Sequence, residues 1–327
     1  MPIRIELDKI HLKPRGKNSH TWYQVSYLGK ALVPERWLLG RRRALLAGWE
    51  TRADADLIRE RVDYYCRVDQ PFGLAKGART VESMRWRRGN YNHDLYEVLR
   101  YFPHDLRFNA VFGDNTTVPA EPSFVKSRPI EGDVRNCVLM KLDKLRHFIF
   151  LKDRRSFTEK SDAAVFRGNC SQEHRVRFMT RWYGHPLVGC GHTGKTPNPD
   201  HPEWSVRQIT PYDHLRYKFV LALEGNDVAS NLKWVMSSNS IAVMPKPRYE
   251  TWFMEGRLEA GRHYIEIRDD FEDLEEKIRW YAAHPEACAE IRRNAHAWVD
   301  QFRNSERELL IGLLTARKYF EFLRTGG

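Results

Sequence analysis

Residues 217–245 read "YKFVLALEGNDVASNLKWVMSSNSIAVMP". The apolar run at residues 219–223 has the length of a buried strand and breaks into Glu224-Gly225-Asn226-Asp227. A segment of helical spacing follows, then Ser237-Ser238-Asn239-Ser240, then a second apolar run at residues 241–244. Strand, glycine-bearing turn, helix and strand in that order form the repeating unit of a parallel sheet. Parallel neighbours need a crossover between them, and the crossover covers a face of the sheet.

The same alternation continues on both sides of this stretch. "DAAVFRG" reads as a strand, "SQEHRVRFMTRWYG" as a helix, "HPLVGCG" as a strand and "HYIEI" as another. Helices at "FEDLEEKIRWYAAH" and "PEACAEIRRNAHAWVDQF" close the run. Leu274, Ile278 and Tyr281 share one face of the first, and Ile291, Ala295, Trp298 and Phe302 continue a face of the second. Pro285 suits the first turn of that second helix. The pattern predicts an α/β fold with a doubly covered parallel sheet, whose ligands bind beyond the carboxyl ends of the strands. The Glu224-Gly225 turn sits at such an end.

Upstream, residues 32–66 and "NHDLYEVLRYF" read as helical, and "DLRFNAVFGDNTTVP" as a strand entering a polar loop. "NCVLMKLDKLRHFIFLKDRRSF" leads out of a first domain, and apolar patterning stops in the polar residues 152–162. The expected division is therefore a first domain over 1–155 and a second over 156–304. A last helix over 305–327 would be capped by the Ser305-x-x-Glu308 spacing and pack back on the first domain.

A chain of 327 residues, 42% hydrophobic, is long enough for two cores. Its formal net charge of +11 favours polyanionic partners: nucleotide phosphates, nucleic acid or an anionic membrane. The five cysteines are scattered and never spaced as CxxC, which argues against a disulfide framework and a structural zinc site. The N-terminal residues lack the apolar core of a signal peptide, and no apolar run approaches the ~20 residues that span a bilayer. A cytoplasmic protein, resting peripherally on the inner-membrane surface, is the expectation.

Two motif matches fail on physical grounds. Residues 189–196, "GCGHTGKT", satisfy the phosphate-loop expression, but "PNPDHPEW" follows, and its prolines bar the helix such a loop must open into. Asp54-Ala55-Asp56 lies in a helical pattern, where residues two apart point away from each other. No histidine pair stands beside a carboxylate at ligand spacing, so neither a metal nor a cofactor is expected.

The turn at 224–227 is the stronger signal. Gly225 lets a ligand approach the backbone, and Asn226, Asp227 and Ser230 are candidate caps for a helix carrying Lys233. Glu224 and Asp227 suit the hydroxyls of a sugar or ribose better than a phosphate. Arg167-Gly168-Asn169 forms a second turn of this kind, with a guanidinium fork suited to phosphate oxygens.

These residues resemble glycosyltransferase family 90, which includes bacterial lipopolysaccharide-core transferases, fungal capsule xylosyltransferases and animal protein O-glucosyltransferases. The likeness runs through "SFVKSRPI", "VLMKLDKLRHF", "VFRGN" and "ETWFMEGRLEAGRHYIEIRDDFEDLEEKI", about residues 105–302, and is closest over 217–267. It implies a GT-B architecture of two Rossmann-like domains facing across a cleft. It also implies metal-independent, inverting transfer from a UDP-sugar to a glycan hydroxyl. The family's catalytic base matches Asp114, although Gly113 replaces the usual Arg before it and Asn115 the usual aromatic after it. Arg167, Gly168 and Asn169 match one donor turn; Gly225, Ser230 and Lys233 match the other, with Asn231 where animal members carry Arg. Lys126 and Arg128 are candidates for the cleft wall. A lipopolysaccharide-core acceptor at an anionic membrane is the implied partner, and no nucleic acid is expected.

Two readings compete with this one. A nucleic-acid-binding protein would use the basic stretches "GRRRALLAG" and "MRWRRGNYNH", whose aromatics could stack on bases. A relative that binds sugar without catalysis would fit the altered surroundings of Asp114.

Overall fold

The computed structural model describes residues 16–324. Its main sheet has five strands, which across the sheet run Ile265–Glu266, Ile241–Met244, Tyr217–Leu221, Ser161–Gly168 and Val188–His192. Every neighbouring pair is parallel. In chain order the first strand lies next to one edge, the second forms that edge, and the third to fifth build out on the other side, with Tyr217–Leu221 in the centre. The direction of winding thus reverses between Ser161–Gly168 and Tyr217–Leu221, and a reversal of that kind opens a crevice at the strands' carboxyl ends. Both glycine turns singled out in the sequence leave from these two strands.

Period-two alternation sorts the strand residues onto two apolar layers. Phe166, Phe219, Leu221, Ile241 and Val243 pack with Phe178 and Met179 of helix Glu173–Trp182 and Ile278 of helix Leu274–Ala283. Their neighbours Val165, Val220, Ala242 and Met244 belong to a second cluster that continues into the first half of the chain through Leu139, Tyr65 and Tyr319. The apolar core is therefore shared across the boundary expected at 152–162.

The first half carries a smaller parallel sheet of Ala110–Val111, Ser123–Val125 and Cys137–Leu139. Helices His20–Ala31, Glu35–Leu46, Ala55–Tyr65 and Asn90–Leu99 surround it. Strand Ser127–Pro129 pairs antiparallel with Tyr249–Thr251, tying the halves together directly. Helix Ser305–Phe322 packs on Ala55–Tyr65 and Asn90–Leu99.

Several local expectations are corrected. The last helix is capped by Asn304, whose side chain accepts from Arg307 N at 3.1 Å, and not by Ser305. Glu308 instead turns inward to Arg61 at 2.6 Å, Lys141 at 2.9 Å and the Trp252 indole N–H at 2.7 Å. The helix after the 224–227 turn is only Leu232–Met236, and its first-turn amides receive no side-chain cap. Asn231 donates its amide back to the Leu221 carbonyl at 2.8 Å, so these residues close the turn rather than start a helix. Asp54 is a helix-start residue paired with Arg52 at 2.8 Å and Arg307 at 3.5 Å. Beyond Val188–His192 no helix opens; the next ordered element is a 3₁₀ turn at Pro202–Trp204. All five cysteines are buried free thiols.

Candidate active site

Asp114 stands on the loop that leaves strand Ala110–Val111, after Gly113 at φ +118°, a backbone setting that glycine adopts without strain. One oxygen of its carboxylate, Oδ1, takes three partners: Lys126 Nζ at 2.6 Å, Arg146 Nη2 at 3.0 Å and the Tyr91 hydroxyl at 3.1 Å. Burial pushes the pKa of Asp114 up, but Lys126, Arg146 and Tyr91 together outweigh it and hold the carboxyl below its ordinary range. Oδ2 takes none of these three bonds.

Lys126 follows strand Ser123–Val125 and is almost wholly buried. Its ammonium also lies 2.6 Å from Asp227 Oδ2, in the turn after Tyr217–Leu221. A single cation therefore joins the candidate base of the first half to the candidate donor turn of the second. Asp227 is correspondingly buried, and its carboxylate faces Lys126 instead of an open space for sugar hydroxyls.

Arg175 braces the crevice. From helix Glu173–Trp182 its guanidinium donates to the carbonyls of Asn169, Leu223 and Glu224, each at 2.8 Å, so both turns hang from one fork. His174 donates to the same Glu224 carbonyl at 2.8 Å. The Glu224 carboxylate accepts from Arg248 N at 2.9 Å, Tyr249 N at 3.1 Å and Arg248 Nε at 3.0 Å. Burial pushes its pKa up, against the pull of those donors. Gln172 holds Asn226 at 3.0 Å. A Cβ on Gly168 would lie 2.8 Å from the Phe166 ring, so close packing of strand end on aromatic requires glycine there.

Two cavities open at this seam. One of about 140 Å³ lies between Glu224, Arg177, Lys246, Arg248 and Tyr249 over an apolar floor that includes Leu232 and Met244. The other, of about 790 Å³, takes Asn90, Tyr91, Asp143 and Arg146 from the first half and Ser230 and Trp234 from the second. Tyr91 and Arg146 line it and touch Asp114 from the same side chains. Among the described residues no three His, Cys, Asp or Glu side chains gather where a metal ion could be held.

The Glycosyl transferase family 90 profile matches residues 136–308. The chain is 46% identical over 313 residues to O-glucosyltransferase LpsA of Dichelobacter nodosus, covering 92% of this chain and 96% of that protein. The chain belongs to glycosyltransferase family 90. It is also 24% identical over 170 residues to Protein O-glucosyltransferase 3 of Homo sapiens, spanning 51% of this chain but 33% of that one. Protein O-glucosyltransferase 2 of Danio rerio is 29% identical over 86 residues, 26% of this chain and 17% of that one. As a family 90 chain, this protein is a glycosyltransferase.

Two residues expected at the candidate site stand elsewhere. Lys233 is fully buried and pairs with Glu255 at 2.6 Å, with its ammonium over the rings of Phe148 and Phe253. Glu255 also accepts from Thr251 N at 2.6 Å. That charge is spent in the core and does not face a phosphate. Arg128 is buried too, donating to Glu250 at 2.8 Å, the Tyr64 carbonyl at 2.8 Å and the Cys137 carbonyl at 3.2 Å, so it fastens the strand pair and lines no cleft. Arg167 hooks its guanidinium on the carbonyls of Phe166 and Gly189. Asn169 reaches Ser171 at 3.2 Å, Ser230 is exposed at the larger cavity, and Asn231 closes the turn. The sequence reading missed Tyr91, Arg146 and Arg175. Arg175 stands in the quoted "SQEHRVRFMTRWYG", and a long cation in the helix's first turn was a usable signal for it.

Proposed function

We propose that the chain moves a sugar from a UDP-sugar to a hydroxyl of a bacterial surface glycan, with inversion and without a metal. Glucose as the sugar is supported by the name of the Dichelobacter relative, an O-glucosyltransferase, and lipopolysaccharide core is the acceptor class that the resemblance favours. The two halves then act as the facing domains of a GT-B enzyme, the protein working at the cytoplasmic face of the inner membrane. The donor lies along the Glu224 turn, where Arg177, Lys246 and Arg248 offer positive charge to the diphosphate. The acceptor occupies the larger cavity and presents its hydroxyl to Asp114 Oδ2.

In the transfer, the acceptor oxygen bonds to the anomeric carbon while the bond from that carbon to UDP breaks. The hydroxyl proton passes to Asp114, and UDP leaves with the bonding pair. An Asp114 held ionised by three donors is always ready to accept that proton at neutral pH, at the cost of basicity.

The observation that carries this reading is the Lys126 ammonium, 2.6 Å from Asp114 and 2.6 Å from Asp227. It supports reading Asp114 as the base and the 224–227 turn as its neighbour on the donor side, one side chain away. The test is calorimetric titration of the purified chain with UDP, UDP-glucose, UDP-galactose and UDP-xylose, with and without EDTA. EDTA-insensitive binding of UDP and one UDP-sugar supports the reading. Binding that needs a divalent cation removes its metal-independent part, and no binding of any UDP compound removes the donor class.

A further inference from the structure

The arginines of the basic stretches "GRRRALLAG" and "MRWRRGNYNH" have no part in the site described above, although Asn90 and Tyr91 of the second do, and both stretches lie beside exposed apolar side chains. Helix His20–Ala31 leaves Val25, Leu28 and Leu32 in solvent, spaced three and four apart on one face. Trp37 follows in helix Glu35–Leu46 at 66% exposure, and Trp86 stands at 57%. These five are among only nine large apolar side chains so exposed in the described residues, and all fall before residue 87. The segments touch: Arg85 Nε donates to the Ala31 carbonyl at 2.9 Å, and the Tyr27 hydroxyl donates to the Met84 and Arg85 carbonyls at 2.7 and 2.8 Å.

Close to Trp37 and Trp86 in the sequence stand Arg36, Arg41, Arg43, Arg87 and Arg88, all exposed. None has a carboxylate partner among the described residues. The nearby carboxylates are engaged elsewhere: Glu35 accepts from His104 N at 3.0 Å and Glu82 meets the His104 ring at 3.0 Å. Exposed tryptophan and leucine within a field of unneutralised arginine match the chemistry of a bilayer interface, where indoles sit at headgroup depth and arginines meet phosphate.

The place of this surface adds a second argument. Lys17 and Asn18, directly before helix His20–Ala31, line the larger cavity, as do Asn90 and Tyr91, directly after the Arg87-Arg88 segment. The patch is thus joined by two short stretches of chain to the cavity that reaches Asp114.

We propose that this face docks on an anionic phospholipid surface and feeds a membrane-anchored acceptor into the cavity beside Asp114. The acceptor half of the statement rests on the transferase reading; the docking half does not. Trp37 and Trp86 enter the headgroup layer, and the arginines hold the anionic phosphates. Attraction of this kind falls with salt and is worth about fivefold in binding for each arginine.

The test is sedimentation of the full chain with vesicles of phosphatidylcholine alone or with phosphatidylglycerol. Wild type is compared with Trp37→Ala/Trp86→Ala and with Arg41→Glu/Arg43→Glu/Arg87→Glu/Arg88→Glu. Release of UDP from donor with a water-soluble acceptor is measured on the same samples, and circular dichroism checks folding. Binding to the anionic vesicles only, lost at least a hundredfold in the arginine variant and clearly weakened in the tryptophan variant, supports the proposal. UDP release unchanged in both variants separates docking from transfer. Equal sedimentation of folded variants and wild type overturns it, as does no sedimentation of wild type. Tighter binding of a single-stranded oligonucleotide than of vesicles, through the same arginines, also overturns it and assigns the face to nucleic acid.

Discussion

Replacing Lys126 by methionine removes the one cation shared by Asp114 and Asp227 while keeping the shape of the side chain. In wild type that ammonium lies 2.6 Å from each carboxylate and is almost wholly buried. An opposite charge at such a distance lowers a carboxyl pKa by about 1–3 units. In the variant Arg146 and Tyr91 still bond Asp114, but burial, which works in the opposite direction, is less well opposed. The acid limb of kcat/KM, which reports the free enzyme's base, should therefore move up by about 1–3 pH units. Stability should fall by about 3–5 kcal/mol, because buried carboxylate is left without its partner. The sign with pH follows from the direction of the shift. A carboxyl held low in the folded state stabilises above its unfolded pKa and loses that contribution as pH falls through the folded one. The variant's deficit is thus largest at neutral pH and shrinks in acid, where Asp114 takes up a proton. A pH–rate profile and urea unfolding at two pH values measure both effects. An unmoved acid limb in a folded variant would refute the coupling of Lys126 to the base.

Two further perturbations probe groups outside the reacting atoms. Glu255→Gln strands the buried Lys233 ammonium and should cost about 3–5 kcal/mol in urea unfolding; Lys233→Met/Glu255→Met should recover most of the loss. Asp94 is fully enclosed, and burial pushes its pKa up to about 6 despite Lys144. The folded state then holds the extra proton between pH 4 and 6, so this group's contribution is lost as pH rises through that window. Relative to wild type, Asp94→Asn should gain about 3 kcal/mol from pH 4 to pH 7; a constant difference would contradict the placement of Asp94.

The main sheet was legible because its strands are buried on both faces, which writes them as apolar runs closed by polar turns. Ser161–Gly168, Tyr217–Leu221 and Ile241–Met244 stand where those runs stand, and Pro285 opens helix Pro285–Asp300. The false phosphate loop was legible for a similar local reason, the prolines that follow it. Other features depend on contacts far apart in the chain. Nothing beside Lys233 marks it as buried, because its partner Glu255 arrives from a later turn. The bridge from Asp114 through Lys126 to Asp227 joins three separate loops, and no spacing rule reports it. Asn304 and Ser305 are both good caps, and only the inward pull of Arg61, Lys141 and Trp252 on Glu308 decides between them. Asp114 itself was found through family resemblance; a Gly-Asp-Asn turn alone reads as a turn.

The most direct measurement is the rate of UDP formation from UDP-glucose and a lipopolysaccharide-core acceptor, in EDTA, by wild type and by Asp114→Asn. Asparagine keeps the size and much of the hydrogen bonding but accepts no proton. With Asp114 as general base, kcat should fall by about 10²–10⁴-fold while donor affinity stays close to wild type. A folded Asp114→Asn that turns over at the wild-type rate would contradict the assignment and place the base elsewhere in the cleft.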